Sequence, residues 1–285
     1  MPSDRLITKG RYRVEIQMKF AFKSIVAAAA FVAAGAASAS SLTLTSGSSV
    51  TDQGWTVSNL TGSGTLSFSS TLIGALNAGG VQVSQVSPAV VTTTTTTPTS
   101  SKYKTVSAAA PVTSLTGTFD GSTVAVTQVG TAGGALQTAV DDGFTTTGGT
   151  LSITNLTVDL TAKRVYATLI GANGVGTVNN LYLWDIATIT GATSFAAVEG
   201  NITSTNTLSG LKINANAFSL FSQALGLTAA GNNALATVTD FGSISSSITV
   251  TAAKVPTTTV PEPSTYALMG LGLAAVGLVA RRRAK

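Results

Sequence analysis

The chain has 285 residues, 16 Lys/Arg against 11 Asp/Glu, and neither cysteine nor histidine. It therefore has no disulfide framework or thiol chemistry, and it lacks the usual general base and commonest metal ligand. Charged residues are only 9% of the chain, while threonine supplies roughly one residue in six, far above ordinary usage.

The formal charge of +5 is concentrated at the two ends. Residues 1–39 carry six basic and two acidic side chains, residues 260–285 four and one, and residues 40–259 six and eight. The body is slightly acidic, so the overall basicity points to no nucleic-acid partner.

Residues 1–17 read as an extension without a helical apolar face, ahead of a second methionine, and we expect translation to start at Met18. From there Lys19 and Lys23 precede an apolar run, Ile25–Ala37, that ends in Ala37-Ser38-Ala39. A basic start, a short apolar helix and small residues before the cut define a secretory signal peptide over 18–39. Export translocon and signal peptidase are the implied partners, with Ser40 as the mature first residue.

The body, 40–251, alternates apolar and polar residues at the period of half-buried strands. Leu42–Thr45, Trp55–Val57, Thr65–Phe68 and Val81–Val83 show this first. Residues 88–111, with the run Thr92–Thr97, read as a low-complexity loop, and that run could accept O-linked sugars. Alternation returns at Val124–Val126, Leu151–Ile153, Leu156–Leu160, Val165–Leu169, Leu181–Ile186, Leu211–Ile213 and Ile248–Val250. One helix is expected over 217–226, capped by Asn216 and stopped by Gly226, with a weaker one near 134–140. Residues 252–260 form a linker. Asn59-Leu60-Thr61 echoes Asn155-Leu156-Thr157, and Leu60-Thr61-Gly62 echoes Leu115-Thr116-Gly117, but no common period links them. The expected fold is all-β: an irregular antiparallel sandwich with one short helix, plus the N-terminal signal helix and a C-terminal transmembrane helix. A β-solenoid is the alternative.

Catalysis would have to rest on carboxylates: Asp52, Asp120, Asp141, Asp142, Asp159, Asp185, Glu199 or Asp240. Asp120-Gly121, Asp141-Asp142-Gly143 and the isolated Asp52 read as turns in which Asp bonds its own backbone, and Asp141-Asp142-Gly143 lacks the spacing of a calcium loop. Gly171–Gly176 follows a strand but leads into no helix, so it is a turn and not a phosphate cradle. No cofactor is expected. Tyr182, Trp184 and Asp185 form the one constellation suited to carbohydrate contact, although a strand with Leu183 inward and Trp184 on the other face explains it equally well. Thr-x-Thr pairs, among them Thr43/Thr45, Thr116/Thr118, Thr188/Thr190 and Thr203/Thr205/Thr207, offer ice binding as a third option.

The last residues, 261–285, are the most specific. Pro261-Glu262-Pro263 precedes an uncharged stretch from Ser264 to Ala280, which Arg281-Arg282-Arg283 follows. That stretch would make about 25 Å of helix, at the short limit for a hydrocarbon core of roughly 30 Å. The arginines place its C-terminal side in the cytoplasm. Val260-Pro261-Glu262-Pro263-Ser264 followed by a Gly/Leu/Ala helix and three arginines resembles the sorting tail of PEP-CTERM proteins, also labelled an ice-binding-protein C-terminal segment. The resemblance implies export in a Gram-negative bacterium, transient anchoring in the inner membrane, and recognition of Pro261, Glu262 and Pro263 by an exosortase. It further implies a destination in the outer envelope or extracellular polysaccharide. The expected function is that of a non-enzymatic structural or adhesive surface protein; the alternative is a carbohydrate-binding or carbohydrate-active module.

Overall fold

The structure is a computed structural model that describes residues 39–256 and 267–273. In chain order the elements are β1 (Ser40–Thr45), β2 (Ser49–Asp52), β3 (Trp55–Phe68), α1 (Ser70–Ala78), β4 (Gln82–Val86), β5 (Val90–Thr95), β6 (Tyr103–Phe119) and β7 (Thr123–Thr131). They continue with β8 (Gly134–Ala139), β9 (Gly149–Asp159), β10 (Arg164–Gly171), β11 (Gly176–Thr190), β12 (Ser194–Ala196) and β13 (Gly200–Ile213). The last are α2 (Ala215–Ala224), α3 (Ala229–Ala236) and β14 (Gly242–Lys254). The expected extension 1–17, the signal peptide as far as residue 38 (Ala37 included), the Pro261–Pro263 motif and Arg281–Arg283 lie outside the described residues. Residues 267–273 are helical, inside the stretch expected to span the membrane. Among the described residues, no helix is long and apolar enough to cross one.

The all-β antiparallel expectation holds, but the strands do not divide into two sheets. They form one 14-stranded sheet in the order β12-β7-β6-β3-β14-β13-β11-β10-β9-β8-β4, with β1 and β5 also on β6 and β2 on β3. Nor do they stack as a regular solenoid. A sheet this wide curls under its own twist, and here it meets itself. Gln128, Val129 and Gly130 of β7 pair with Asp159, Val158 and Thr157 of β9. The closure is partial. β12 takes the other part of the same β7 edge, at Thr123–Ala125, and β8 takes the rest of the β9 edge, at Gly149–Thr154.

Curling requires strands to change phase, and Asn-Leu steps supply several of the changes. Asn59, Asn155 and Asn180 have φ of +55°, +53° and +50° inside β3, β9 and β11. Each accompanies a break in register: between Thr249 and Thr251 opposite β3, and between Tyr166/Thr168 and Ala167/Leu169 on β10. Asparagine tolerates this left-handed backbone better than most residues, and one unpaired residue bends the strand. The Asn59 and Asn155 echo is thus a shared bulge and not a repeat. Gly210, at φ +68°, changes the phase of β13 without a shift in register. It lets Leu208 and Leu211, three residues apart, both become buried. A Cβ there would stand 2.7 Å from Ala187 Cβ.

The main core lies where helix α2 covers β9, β10 and β11. Leu151, Val165, Leu169, Leu183 and Leu211 are fully buried, and Trp184, Phe241 and Phe221 pack in series, with ring centroids 6.2 and 6.5 Å apart. Helix α2 starts two residues before the expected position and is capped by Asn214, whose side chain accepts from Asn216 N–H. Helices α1 and α3 were not expected. Each is short, with Ser69 and Thr228 as caps, and burial of Leu72, Ile73, Leu76 and Leu235 against the sheet holds them, since propensity alone does not sustain such lengths. The weak helix expected at 134–140 is strand β8, and of the loop expected over 88–111, residues 90–95 belong to β5, as β-branched side chains favour, and residues 103–111 to β6. Strand β14 runs through Lys254, into the expected linker.

Tyr103 ties β6, β4 and α1 together. Its hydroxyl accepts from Val83 N–H at 2.8 Å and donates to Gln82 Oε1 at 3.2 Å. Asn77 bonds both its backbone groups, at 2.9 and 2.7 Å. Tyr103→Phe should cost about 1–3 kcal/mol in denaturant unfolding, because Val83 N–H loses its partner in a half-buried site. Gly210→Ala should cost at least as much, through the left-handed backbone and the Ala187 contact. A Gly210→Ala protein as stable as the parent would contradict the phase-change argument.

Candidate functional site

The curled sheet has an inner face of aliphatic side chains and an outer face of hydroxyls. Outer-face residues fall into rows that the register aligns across strands. Thr190 pairs with Thr207, Thr207 with Ser245, and Ser245 with Thr65. The next row is Thr188, Ser209, Ser243 and Ser67; on the other side lie Thr205, Ser247 and Ser63, then Thr203, Thr249 and Thr61. None of these positions is charged, and all are exposed or half-buried. Neighbours stand about 4.8 Å apart across strands and about 6.7 Å apart along them. Thr203 and Thr249 share a 2.9 Å hydrogen bond. Comparable outward pairs, Thr43–Thr116, Thr51–Thr56 and Thr94–Thr105, recur elsewhere at 3.1, 2.9 and 2.6 Å. Cross-strand pairs of this kind stabilise a sheet and leave each hydroxyl with further donor or acceptor capacity. The pairs Thr188/Thr190 and Thr203/Thr205/Thr207, scattered in the sequence, meet here.

Along β11 the hydroxyl rows give way to an aromatic and charged cluster. Arg164 of β10 pairs with Asp185 of β11, and Asp185 with Lys212 of β13. The Arg164 guanidinium lies 4.7 Å from the Tyr182 ring centre, and Tyr166 stands against Tyr182 at 5.6 Å between centroids. The Tyr182 hydroxyl donates to Asp185. Burial, then that hydrogen bond, raises the Tyr182 pKa above its ordinary value, so the phenol stays protonated at neutral pH.

Of the three residues expected to contact carbohydrate, Tyr182 and Asp185 reach this surface. Trp184 does not. It is 3% exposed and packs on Phe241. Strict alternation failed here because Val165 pairs with Trp184 and Tyr166 with Tyr182, which leaves Leu183 as the extra residue of a bulge. Both Leu183 and Trp184 are consequently buried. The same bulge brings Tyr166 and Arg164 beside Tyr182, a grouping that needs the strand register and so was missed.

Of the carboxylates expected in turns, Asp120 and Asp142 are occupied by backbone donors, while Asp52 ends β2 and accepts from the Ser40 hydroxyl; Asp240, not expected in a turn, is occupied likewise. Asp120 accepts from Ser122 and Thr123 N–H at 2.9 and 2.7 Å. Asp142 accepts from Phe144, Thr145 and Thr146 N–H at 2.9, 2.7 and 3.0 Å, and from the Thr145 hydroxyl. Asp240 accepts from Leu211 and Gly242 N–H at 3.1 and 2.8 Å. The backbone N–H of Ser122, then that of Thr123, lead in lowering the Asp120 pKa, and the Thr145 hydroxyl leads in lowering that of Asp142. Acids held ionised in this way are poorly matched to general-acid work at neutral pH. Among the described residues no group of three or more Asp/Glu side chains is placed to hold a metal.

Residues 259–283 match the PEP-CTERM protein-sorting motif. The chain carries a PEP-CTERM protein-sorting motif. The motif covers only its C-terminal end, and it implies export and membrane-associated sorting by an exosortase. No curated protein matches the sequence. Among solved structures, the heme-binding protein HtaB from Corynebacterium glutamicum is similar over 75% of this chain and 98% of its own, at 16% identity and a TM-score of 0.39.

The Asp142 turn gives a pH prediction for this protein. Its pKa is lower folded than unfolded, so its contribution to stability is complete above the unfolded value of about 4 and disappears as pH falls towards the folded one. Thermal unfolding from pH 7 to pH 2 should show a shallower acid decline in Asp142→Asn than in the parent, and a lower unfolding temperature at pH 7. Parallel curves with equal temperatures at pH 7 would remove Asp142 from the account.

Proposed function

We propose that this is a non-enzymatic adhesive protein of the cell envelope or extracellular matrix that holds neutral polysaccharide on its outer hydroxyl face. The observation that carries the reading is the set of aligned, uncharged Ser/Thr rows across β11, β13, β14 and β3. A neutral polysaccharide presents hydroxyls at a comparable density, and each protein hydroxyl can both donate to and accept from them. Individually such bonds are weak, since each replaces bonds to water, so affinity depends on many acting together along one polymer. Tyr166 and Tyr182 at the border offer ring faces to sugar C–H groups. The lack of fixed charge in the rows means that binding draws little on Coulomb attraction and should resist salt. The engagement of Asp120, Asp142 and Asp240 by backbone donors supports binding over hydrolysis. The sorting motif supports a route to the polysaccharide, through signal-peptide export and transient anchoring by residues 264–280.

Two measurements test this reading. In producing cells, the protein should have a mass corresponding to Ser40 through about Pro261, and only when the exosortase is present. An intact C-terminus in both strains would leave the protein as an inner-membrane anchor protein. For the body, co-sedimentation with neutral exopolysaccharide purified from the producing strain should change less than about twofold between low and high salt. The combined variant Thr205→Val, Ser247→Ala and Ser63→Ala, which empties one row, should bind at least about tenfold more weakly. Its unfolding temperature should barely move, because exposed substitutions usually lie within about 0.5 kcal/mol of neutral. Undiminished binding by this variant, or binding abolished by salt, would contradict the proposal.

A further inference from the structure

The inner face of the curled sheet is not filled everywhere. Beyond the row formed by Leu208, Ile244 and Leu66 it lines a partly open apolar cavity of about 120 Å³ between β3, β6, β7, β13 and β14. Leu115, Val126, Val129, Ile202 and Val250 line it, yet each is only half-buried. Aliphatic side chains on the inner face of a sheet ordinarily interdigitate to crystal-like density. Here they surround space.

The sequence maintains that space. The row next to Leu208 and Ile244 consists of Asn206, Ser246 and Gly64, where larger apolar side chains would complete the core. Gly64 has no backbone reason to be glycine, for it does not have positive φ. A Cβ built on it would meet Thr131 Cγ2 at 3.8 Å and Ile244 Cγ2 at 3.9 Å, both ordinary contacts. Gly62, two residues earlier in the strand, differs: its Cβ would stand 2.2 Å from Ser247 O. A β-branched residue at position 64 would suit a strand better than glycine, so its absence leaves room in the cavity.

The lining also restricts the ligand's charge. No Lys or Arg lines the cavity, and Asp52 is the one ionisable carboxylate among its lining residues. A carboxylate brought inside would be desolvated without a cationic partner, which is strongly unfavourable. Besides Asp52, polar contact is available only from neutral groups, chiefly Ser204, Asn206 and Ser246. Size follows from the volume. One water needs roughly 10–15 Å³ on this measure, so the cavity takes about ten non-hydrogen atoms.

We propose that the cavity between β3, β6, β7, β13 and β14 binds the neutral aliphatic chain of a lipid-like molecule, about ten non-hydrogen atoms long. The site lies on the inner face and does not depend on the polysaccharide reading of the outer one. The test is calorimetric titration of 1-decanol into delipidated protein purified from producing cells. One saturable site is expected. Gly64→Val should weaken it at least tenfold with an unchanged or higher unfolding temperature, and Val126→Phe, from another wall, should weaken it similarly. Decanoate at pH 7 should bind at least tenfold more weakly than 1-decanol. If one variant does not fold, the other decides. Failure of the parent to bind 1-decanol saturably, or full binding by the folded variants, would overturn the site, and equal affinity for decanoate would overturn its neutrality.

Discussion

Three residue pairs between β7 and β9 set the character of this molecule. Without them the fourteen strands would be a twisted ribbon with two solvent-facing sides and exposed edges, which invite pairing with other chains. With them, one side of every strand from β6 round to β10 turns inward and the other outward. The inward side contains the apolar core and the cavity; the outward side has to be wetted. Every later property of the protein is a consequence of that division.

The outward side is kept wet with almost no charge. Thr and Ser serve the sheet twice, since β-branched threonine favours extended backbone and its hydroxyl pairs across strands. The same choice leaves a surface free of strong electrostatic preference, in keeping with a partner that is itself neutral. Stability without disulfides is credible for a body of this size. The long β3, β6, β13 and β14 ladders satisfy their backbone groups within the sheet, and the Trp184–Phe241–Phe221 series anchors the helix-covered end.

The sequence made part of this legible. Period-two alternation located β9, β10, β13 and β14 because each buries one face. It could not locate the closure, which depends on pairing Gln128–Gly130 with residues about thirty positions away. Trp184 shows where the rule breaks. One extra residue, Leu183, reverses the phase, so the side chain expected outside became core, and Tyr166 with Arg164 replaced it beside Tyr182. A usable signal for such breaks was present in the Asn-Leu steps at Asn59, Asn155 and Asn180, but only the backbone revealed them as bulges. The Thr92–Thr97 run was misread for a compositional reason: low complexity suggested a loop, whereas strand propensity and the β6 edge made Thr92–Thr95 a strand. Helices α1 and α3 are too short to stand alone, so their signals were weak in isolation. The sorting motif was readable at once, since a receptor reads it as linear sequence.

The central claim is that the two faces of one curled sheet have separate tasks, with polysaccharide held on the outer one. Its most direct test is an amide and methyl NMR titration of the isotope-labelled protein with oligosaccharides from the host's neutral exopolysaccharide. The account predicts shifts at Thr188, Thr190, Thr203, Thr205, Thr207 and their serine neighbours, with the methyls of Leu115, Val126, Val129 and Ile248 unmoved. Shifts confined to the inner methyls, or none at saturating sugar, would contradict it.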